Sequence, residues 1–293
     1  MAKFAQLGLI GCGLMGGSFA LALKQAGLVE RVIGYSKSPS TTEKARQMGV
    51  IDQTAESALL AVSGADIVLL AVPVAATDAT FRAIRHLVTP QCLFMDVGST
   101  KRDVVDAARR VLKDRVGAFV PAHPIAGKEH AGVQHADAQL YRDRQVILTP
   151  IAQTLPAQIE RATEVWTALG AQVRQMSAES HDAAFAAVSH LPHLLAFAYF
   201  TGILQQKESE DFLALAGPGF RDFTRIAASD PAIWRDILLA NREEVLRQSE
   251  RFRGALAVLE DALKDRRGEA LEALIQGVSS ARSHWRLGDT MKR

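Results

Sequence analysis

Gly11-Cys12-Gly13-Leu14-Met15-Gly16 follows the apolar run Phe4 to Ile10 and leads into Ser18 to Gln25, a stretch with the composition of a helix. A glycine loop between a strand and a helix is the setting in which a common pattern becomes a specific expectation, a dinucleotide site. Gly11 is expected to permit the tight turn, Gly13 to let backbone approach a pyrophosphate, and Gly16 to let helix and strand pack closely. The helix N-terminus then faces the anion. Leu14 and Met15 complete the loop, and Val72 and Pro73, after the run Ile67 to Ala71, are further candidate cofactor contacts. The competing reading is an ordinary glycine turn that binds nothing.

Outward from this loop, short β-rich runs alternate with helical stretches as far as Met176. Phe4 to Ile10, Arg31 to Tyr35, Ile67 to Ala71, Leu93 to Asp96, Ala118 to Pro121, Gln145 to Leu148 and Gln172 to Gln175 read as strands. That alternation implies a parallel sheet wrapped by helices, a doubly wound α/β domain of Rossmann type over residues 1–176. From Ala178 the chain is rich in Ala, Leu, Glu and Arg with no further strand run, so residues 177–293 read as an all-α domain. Asp230-Pro231 fits a helix start, and Ile237, Val245, Phe252, Leu256, Leu259 and Leu263 then recur at helical steps. One long amphipathic helix is expected, lying on its own core or also forming a homodimer seam.

The 293 residues carry 34 basic and 32 acidic side chains, a net charge of +2 without a dense basic stripe, so neither nucleic acid nor an anionic membrane is an expected partner. A small-molecule substrate fits better. Two cysteines, Cys12 and Cys92, form no disulfide framework, and the opening MAKFAQLGLIG is too brief for a signal peptide. With no run of about 18 apolar residues read later in the chain, a cytoplasmic location is expected.

Two motifs sit at carboxyl ends of strands, where ligands bind in an open α/β sheet. They are Asp96-Val97-Gly98-Ser99-Thr100-Lys101 and Pro121-Ala122-His123-Pro124-Ile125-Ala126-Gly127. His123 has the ordinary pKa for accepting a proton as hydride leaves. Ser99 reads either as a polar group in the same crevice or as a helix N-cap. In the helical half, Ser189-His190-Leu191-Pro192-His193 offers two histidines three apart. Pro192 and the lack of companion ligands argue against a metal there. Arg225 offers a planar fork of donors for a carboxylate, or an ion pair with Asp222 or Asp230.

Where an acidic residue ordinarily receives the adenosine ribose of NAD, the chain reads Gly34-Tyr35-Ser36-Lys37-Ser38. Ser36, Lys37 and Ser38 supply two hydroxyls and a cation for a ribose phosphate, so NADP is favoured with NAD possible.

Together these motifs, with His-Pro-Ile-Ala-Gly-Lys-Glu and Phe-Arg-Asp-Phe-Thr-Arg-Ile-Ala, resemble the prephenate and arogenate dehydrogenase family, in order over nearly the whole chain. The resemblance implies NAD(P)-dependent oxidation of a cyclohexadienyl carboxylate, with loss of carbon dioxide, in tyrosine biosynthesis. It casts His123 as catalytic base and Ser99 as the serine that orients it and touches the substrate hydroxyl. It casts Arg225 as carboxylate clamp and His193 as a pocket histidine, with Ser189 in the same motif. It places Glu129, Asp222 and Trp234 where the family keeps an ionic gate and an aromatic wall, and it implies dimerisation through the helical domains. Pro218, where many members have glycines, is a departure that touches substrate side-chain binding; Ser36 is another. Two other readings compete: a β-hydroxyacid dehydrogenase or imine reductase, which ordinarily works with a helical-domain lysine or aspartate, and a dinucleotide-binding redox sensor.

Overall fold

The computed structural model describes residues 3–128 and 130–286. The first strand, β1 (Phe4–Ile10), runs into the glycine loop and α1 (Leu14–Gln25), and then β2 (Val29–Tyr35), α2 (Pro39–Gln47), β3 (Gln53–Thr54) and α3 (Ala58–Val62) follow. Next come β4 (Ile67–Leu70), α4 (Thr77–Ile84), β5 (Leu93–Asp96), α5 (Arg102–Leu112) and β6 (Phe119–Val120). These six strands pair in parallel in the order β3-β2-β1-β4-β5-β6. β4 is apolar and buried throughout, as expected of a strand covered on both faces. One face packs on Phe19 and Trp166, with ring centroids 4.9 Å apart, and the other on Phe81, Phe94 and Phe119.

The expectation of one parallel sheet needs correcting. After Pro121 a second, three-stranded sheet forms from β7 (Ala122–Pro124), β8 (Gln145–Leu148) and, beyond α6 (Pro156–Ala168), β9 (Gln172–Gln175). β7 is antiparallel to β8, with His123 opposite Ile147. The strand expected over Ala118 to Pro121 is β6, which stops before Pro121, where the ring nitrogen has no hydrogen to donate to a ladder; β7 begins just beyond the expected run.

After β9 the described chain is helical: α7 (Ala178–Phe185), a π turn (Ala186–His190), α8 (Leu191–Leu204), α9 (Ser209–Ala214), α10 (Pro218–Thr224) and a 3₁₀ turn (Arg225–Ala228). Three more helices follow, α11 (Pro231–Ala240), α12 (Arg242–Lys264) and α13 (Gly268–His284). The run Ala178–Leu204 is long and apolar enough by length and composition to cross a bilayer. Reading the sequence for unbroken apolar stretches passed over it, because Ser189, His190, Pro192 and His193 interrupt it. Its polar groups His181, Asp182 and His190 are buried and hydrogen-bonded within the protein.

The single long helix expected from Asp230 onward is broken in two. Asp230 does cap the first part, accepting from the amides of Ala232 and Ile233 at 2.9 Å. Asn241 ends it, because the Asn241 side-chain amide is drawn to the Asp182 carbonyl at 2.8 Å and to His190 Nδ1 at 3.1 Å. By packing, the chain divides into two compact units, residues 1–242 and 243–293.

Candidate active site

The glycine loop has the shape its spacing implied. Gly11 adopts φ +98°, and a Cβ there would lie 2.1 Å from the Ala71 carbonyl oxygen. A Cβ on Gly16 would lie 2.1 Å from the Gly11 carbonyl oxygen, so helix and strand meet at glycine distance. Around Gly13, which precedes α1, a Cβ would meet nothing within 4 Å. That open space before a helix N-terminus fits a pyrophosphate, and Val72 follows Ala71 at the same edge. Cys12 within the loop is buried, and burial pushes its thiol up to about 11, so it remains a packing group.

Ser36 Oγ accepts a hydrogen bond from the Cys12 amide at 2.8 Å, so the residue at the end of β2 braces the glycine loop. Lys37 and Ser38 are exposed beside it, with Ser38 Oγ 2.8 Å from Ser40 Oγ.

At the end of β5, Asp96 and Lys101 form a buried ion pair, Nζ to Oδ2 at 2.5 Å. The pair brackets Ala122: Lys101 Nζ donates to its carbonyl at 2.8 Å and Asp96 Oδ1 accepts from its amide at 2.9 Å. His123 is the next residue. Its Nδ1 lies 2.8 Å from Nε2 of His181, and Nδ1 of His181 lies 2.7 Å from Asp182 Oδ1. Phe185 packs beside both rings, with centroids 4.8 and 4.4 Å away. Burial, reinforced by the nearby His181 and Lys101, holds the His123 pKa well below 6.5, so the ring is neutral.

The Asp182 carboxylate also accepts from the amides of Lys101 at 2.9 Å and Arg102 at 3.0 Å. It therefore caps α5 from 81 residues away, the role the sequence had offered to Ser99 or Thr100. Ser99 is half-buried in the turn just before this cap. Among the described residues His181 is the side-chain hydrogen-bond partner of the His123 ring.

The loop after β7 runs through Gly127 and Lys128 into a cavity of about 520 Å³ lined also by His130, His193, Arg225 and Ser229. His193 donates from Nδ1 to the Ser189 carbonyl at 2.9 Å and stacks on Trp234, with centroids 3.4 Å apart. Burial lowers the His193 pKa, and Arg225 lowers it further. Asp222 accepts from Arg221 Nε at 3.2 Å, and Asp230 caps α11. Asp222 is exposed on α10, whose first turn Pro218 opens. Glu129 lies outside the described residues. No group of three or more metal-ligating side chains is found among the described residues.

His123, His193, Arg225 and Trp234 were legible as candidates in the sequence. His181, Asp182 and Asn241 were not. The signal for His181 and Asp182 was a His-Asp dipeptide in the first turns of the helix that opens the all-α segment; Asn241 carried none.

Comparison with known proteins gives a consistent result. Residues 19–175 match the family model "Prephenate dehydrogenase, nucleotide-binding domain", and residues 177–277 match "Prephenate dehydrogenase, dimerization domain". The chain is 34% identical to the cyclohexadienyl dehydrogenase of Zymomonas mobilis over 273 residues, 92% of each protein. It is 39% identical to the prephenate dehydrogenase of Bacillus subtilis over 243 residues, 81% of this chain and 64% of that protein. The chain thus spans less than two thirds of the Bacillus relative. The crystal structure of Aquifex aeolicus prephenate dehydrogenase in complex with hydroxyphenyl propionate and NAD+ superposes with a TM-score of 0.89 at 35% identity, covering 95% of this chain and 97% of that one.

Proposed function

The chain belongs to the prephenate dehydrogenase family, and on that premise we propose that it oxidises prephenate or arogenate at the expense of a nicotinamide dinucleotide, with loss of carbon dioxide. The observation that carries this reading is a neutral His123 on the segment that leads into a cavity lined by His193 and Arg225. A neutral imidazole is ready to take a proton, and a guanidinium across a cavity is suited to a carboxylate.

Gly11, Gly13, Leu14, Met15 and Gly16 would hold the pyrophosphate, with Val72 and Pro73 beside it. When bound, the cofactor supplies a nicotinamide ring that accepts hydride. His123 takes the proton of the ring hydroxyl as the carbinol carbon gives up hydride, which leaves a dienone. The bond from ring to carboxylate then breaks, its electron pair enters the ring, and the oxygen becomes a phenolate that His123 reprotonates. One hydride and one carbon dioxide leave the substrate, and the proton on His123 is returned. Arg225 clamps a carboxylate throughout. Ser99 is assigned to the substrate hydroxyl, and His193, stacked on Trp234, to the pocket wall with Ser189. Asp222 and Glu129 stay assigned to the mouth of the pocket, as the family resemblance implies.

NADP is the favoured cofactor, on the chemistry of Ser36, Lys37 and Ser38. The working division is a dinucleotide domain over 1–176 and a helical substrate and dimerisation domain over 177–293, supported by two family models that meet between residues 175 and 177. A homodimer is supported by the dimerisation-domain match and by exposed apolar side chains on α12 and α13, among them Leu246, Leu263, Ile275 and Val278. The enzyme is assigned to the cytoplasm. Steady-state rates of nicotinamide reduction with both acids and both cofactors test the proposal. Turnover of at least one acid supports it; tight cofactor binding with neither acid consumed would favour a sensor.

A further inference from the structure

His123, His181 and Asp182 form a hydrogen-bonded line whose direction follows from protonation states. Asp182 keeps its carboxylate ionised, since its own burial is outweighed by hydrogen bonds from His181 and from the amides of Arg102 and Lys101. An ionised carboxylate only accepts, so His181 Nδ1 must carry hydrogen. Burial lowers the His181 pKa, which leaves the ring neutral and Nε2 bare. A bare Nε2 at 2.8 Å requires the proton of neutral His123 to sit on Nδ1. Nε2 of His123 is then the basic nitrogen.

We propose that Asp182, acting through His181, is a positioning residue that fixes His123 in the tautomer with a bare Nε2. The proposal rests on the reading of His123 as the base. Its carboxylate serves two ends at once, since Oδ1 also receives the Lys101 amide and Oδ2 the Arg102 amide. The turn that carries Ser99 and the ring that takes the proton are thereby referred to one group. Other charged or titratable groups near the line are Lys101 and Asp96 at the sheet edge and His190 on the π turn. Of these His190 is held neutral by burial and Lys101 is paired with Asp96.

Reversal of the line is the sharp consequence. In Asp182→Asn an NH₂ in the place of Oδ1 would give up the bond from the Lys101 amide and donate to His181 Nδ1, moving the His181 hydrogen to Nε2 and the His123 hydrogen to its own Nε2. The lone pair that takes the proton would be lost, as when the aspartate of a serine-protease triad is replaced by asparagine. In His181→Leu the acceptor for His123 Nδ1 is removed, whereas His181→Gln keeps an acceptor for His123 and a donor for Asp182.

The test reads nitrogen-15 chemical shifts of the His123 ring at neutral pH in the full-length wild type and the three variants, beside kcat, KM and melting temperature. Expected are an Nδ1–H tautomer in wild type and in His181→Gln, and an Nε2–H tautomer in Asp182→Asn. In Asp182→Asn and His181→Leu, kcat should fall between about tenfold and a hundredfold, the range that a hydrogen bond to a charged group is worth, with KM little changed and His181→Gln restored toward wild type. An Nε2–H tautomer in wild type, or a tautomer unmoved by Asp182→Asn, overturns the proposal even in an enzyme that turns over. The shifts are read without substrate, so a failure of the functional reading is seen separately in the rates.

Discussion

Lys101 Nζ donates to the carbonyl of Ala122 at 2.8 Å, so a fully buried ammonium holds the residue immediately before His123. The ammonium is tolerated because Asp96 pairs with it and uses its other oxygen on the Ala122 amide. Removing one partner leaves the other charged and unpaired. Asp96→Asn is expected to lower stability by about 3 to 5 kcal/mol, measured by denaturant unfolding. Replacing both partners with apolar residues of similar size should be milder than the single change. A loss below about 1 kcal/mol in Asp96→Asn, the scale of a surface pair, would mean that the pair does not anchor β7.

His190 gives a signed pH dependence. Burial pushes its pKa from 6.5 down to about 4, and its bare Nδ1 receives the Asn241 amide. The unfolded chain takes up a proton near 6.5 while the folded chain does not. The stabilisation is therefore complete above pH 6.5 and is lost as pH falls toward about 4, by an amount on the order of 3 kcal/mol. In His190→Asn the slope of unfolding free energy against pH over that window should flatten. An unchanged slope would remove His190 from the account.

Arg225→Ala should raise the Michaelis constant more than about tenfold, since a hydrogen bond between charged groups contributes roughly 1.5 to 3 kcal/mol. An unchanged constant in a folded dimer would return Arg225 to a structural role.

Cofactor choice turns on Ser36. Its hydroxyl oxygen receives the Cys12 amide, and exposed Lys37 follows it at the end of β2. An exposed lysine is screened, so preference for NADP over NAD should be about fivefold, near 1 kcal/mol. Ser36→Asp should shift preference toward NAD. A wild-type enzyme at least about tenfold more efficient with NAD, beyond what a screened lysine offsets, would contradict this.

The legible parts of the molecule were those set by local chemistry. Gly11 and Gly16 announced themselves because the contacts their hydrogens make allow no side chain, and β4 because a doubly covered strand is apolar throughout. His123, Arg225 and the Ser189 to His193 motif stood out by residue type. What stayed hidden was held by long-range bonds. Asp182 caps a helix that begins 80 residues earlier, and no local pattern reveals that. Asn241 breaks a helix whose apolar spacing runs straight through it, because its amide is claimed by Asp182 and His190. The second sheet stayed hidden because β7 is only three residues long, follows Pro121 and ends at Pro124, so nothing beyond the run Ala118 to Pro121 carries a strand pattern.

The central claim is that His123 takes the hydroxyl proton as hydride departs. Its lowered pKa keeps the ring neutral, with a lone pair to offer, into mildly acidic solution, so the acid limb of kcat/KM should lie below pH 6.5. The most direct measurement is kcat for His123→Asn, with prephenate or arogenate and the preferred cofactor. A general base contributes about 10² to 10⁴ in rate, so kcat should fall by that factor with KM little changed, and the acid limb should disappear. A variant that keeps more than about a third of wild-type turnover, or that keeps the same acid limb, would contradict the account, because a base worth about 10² to 10⁴ cannot be absent without such a loss.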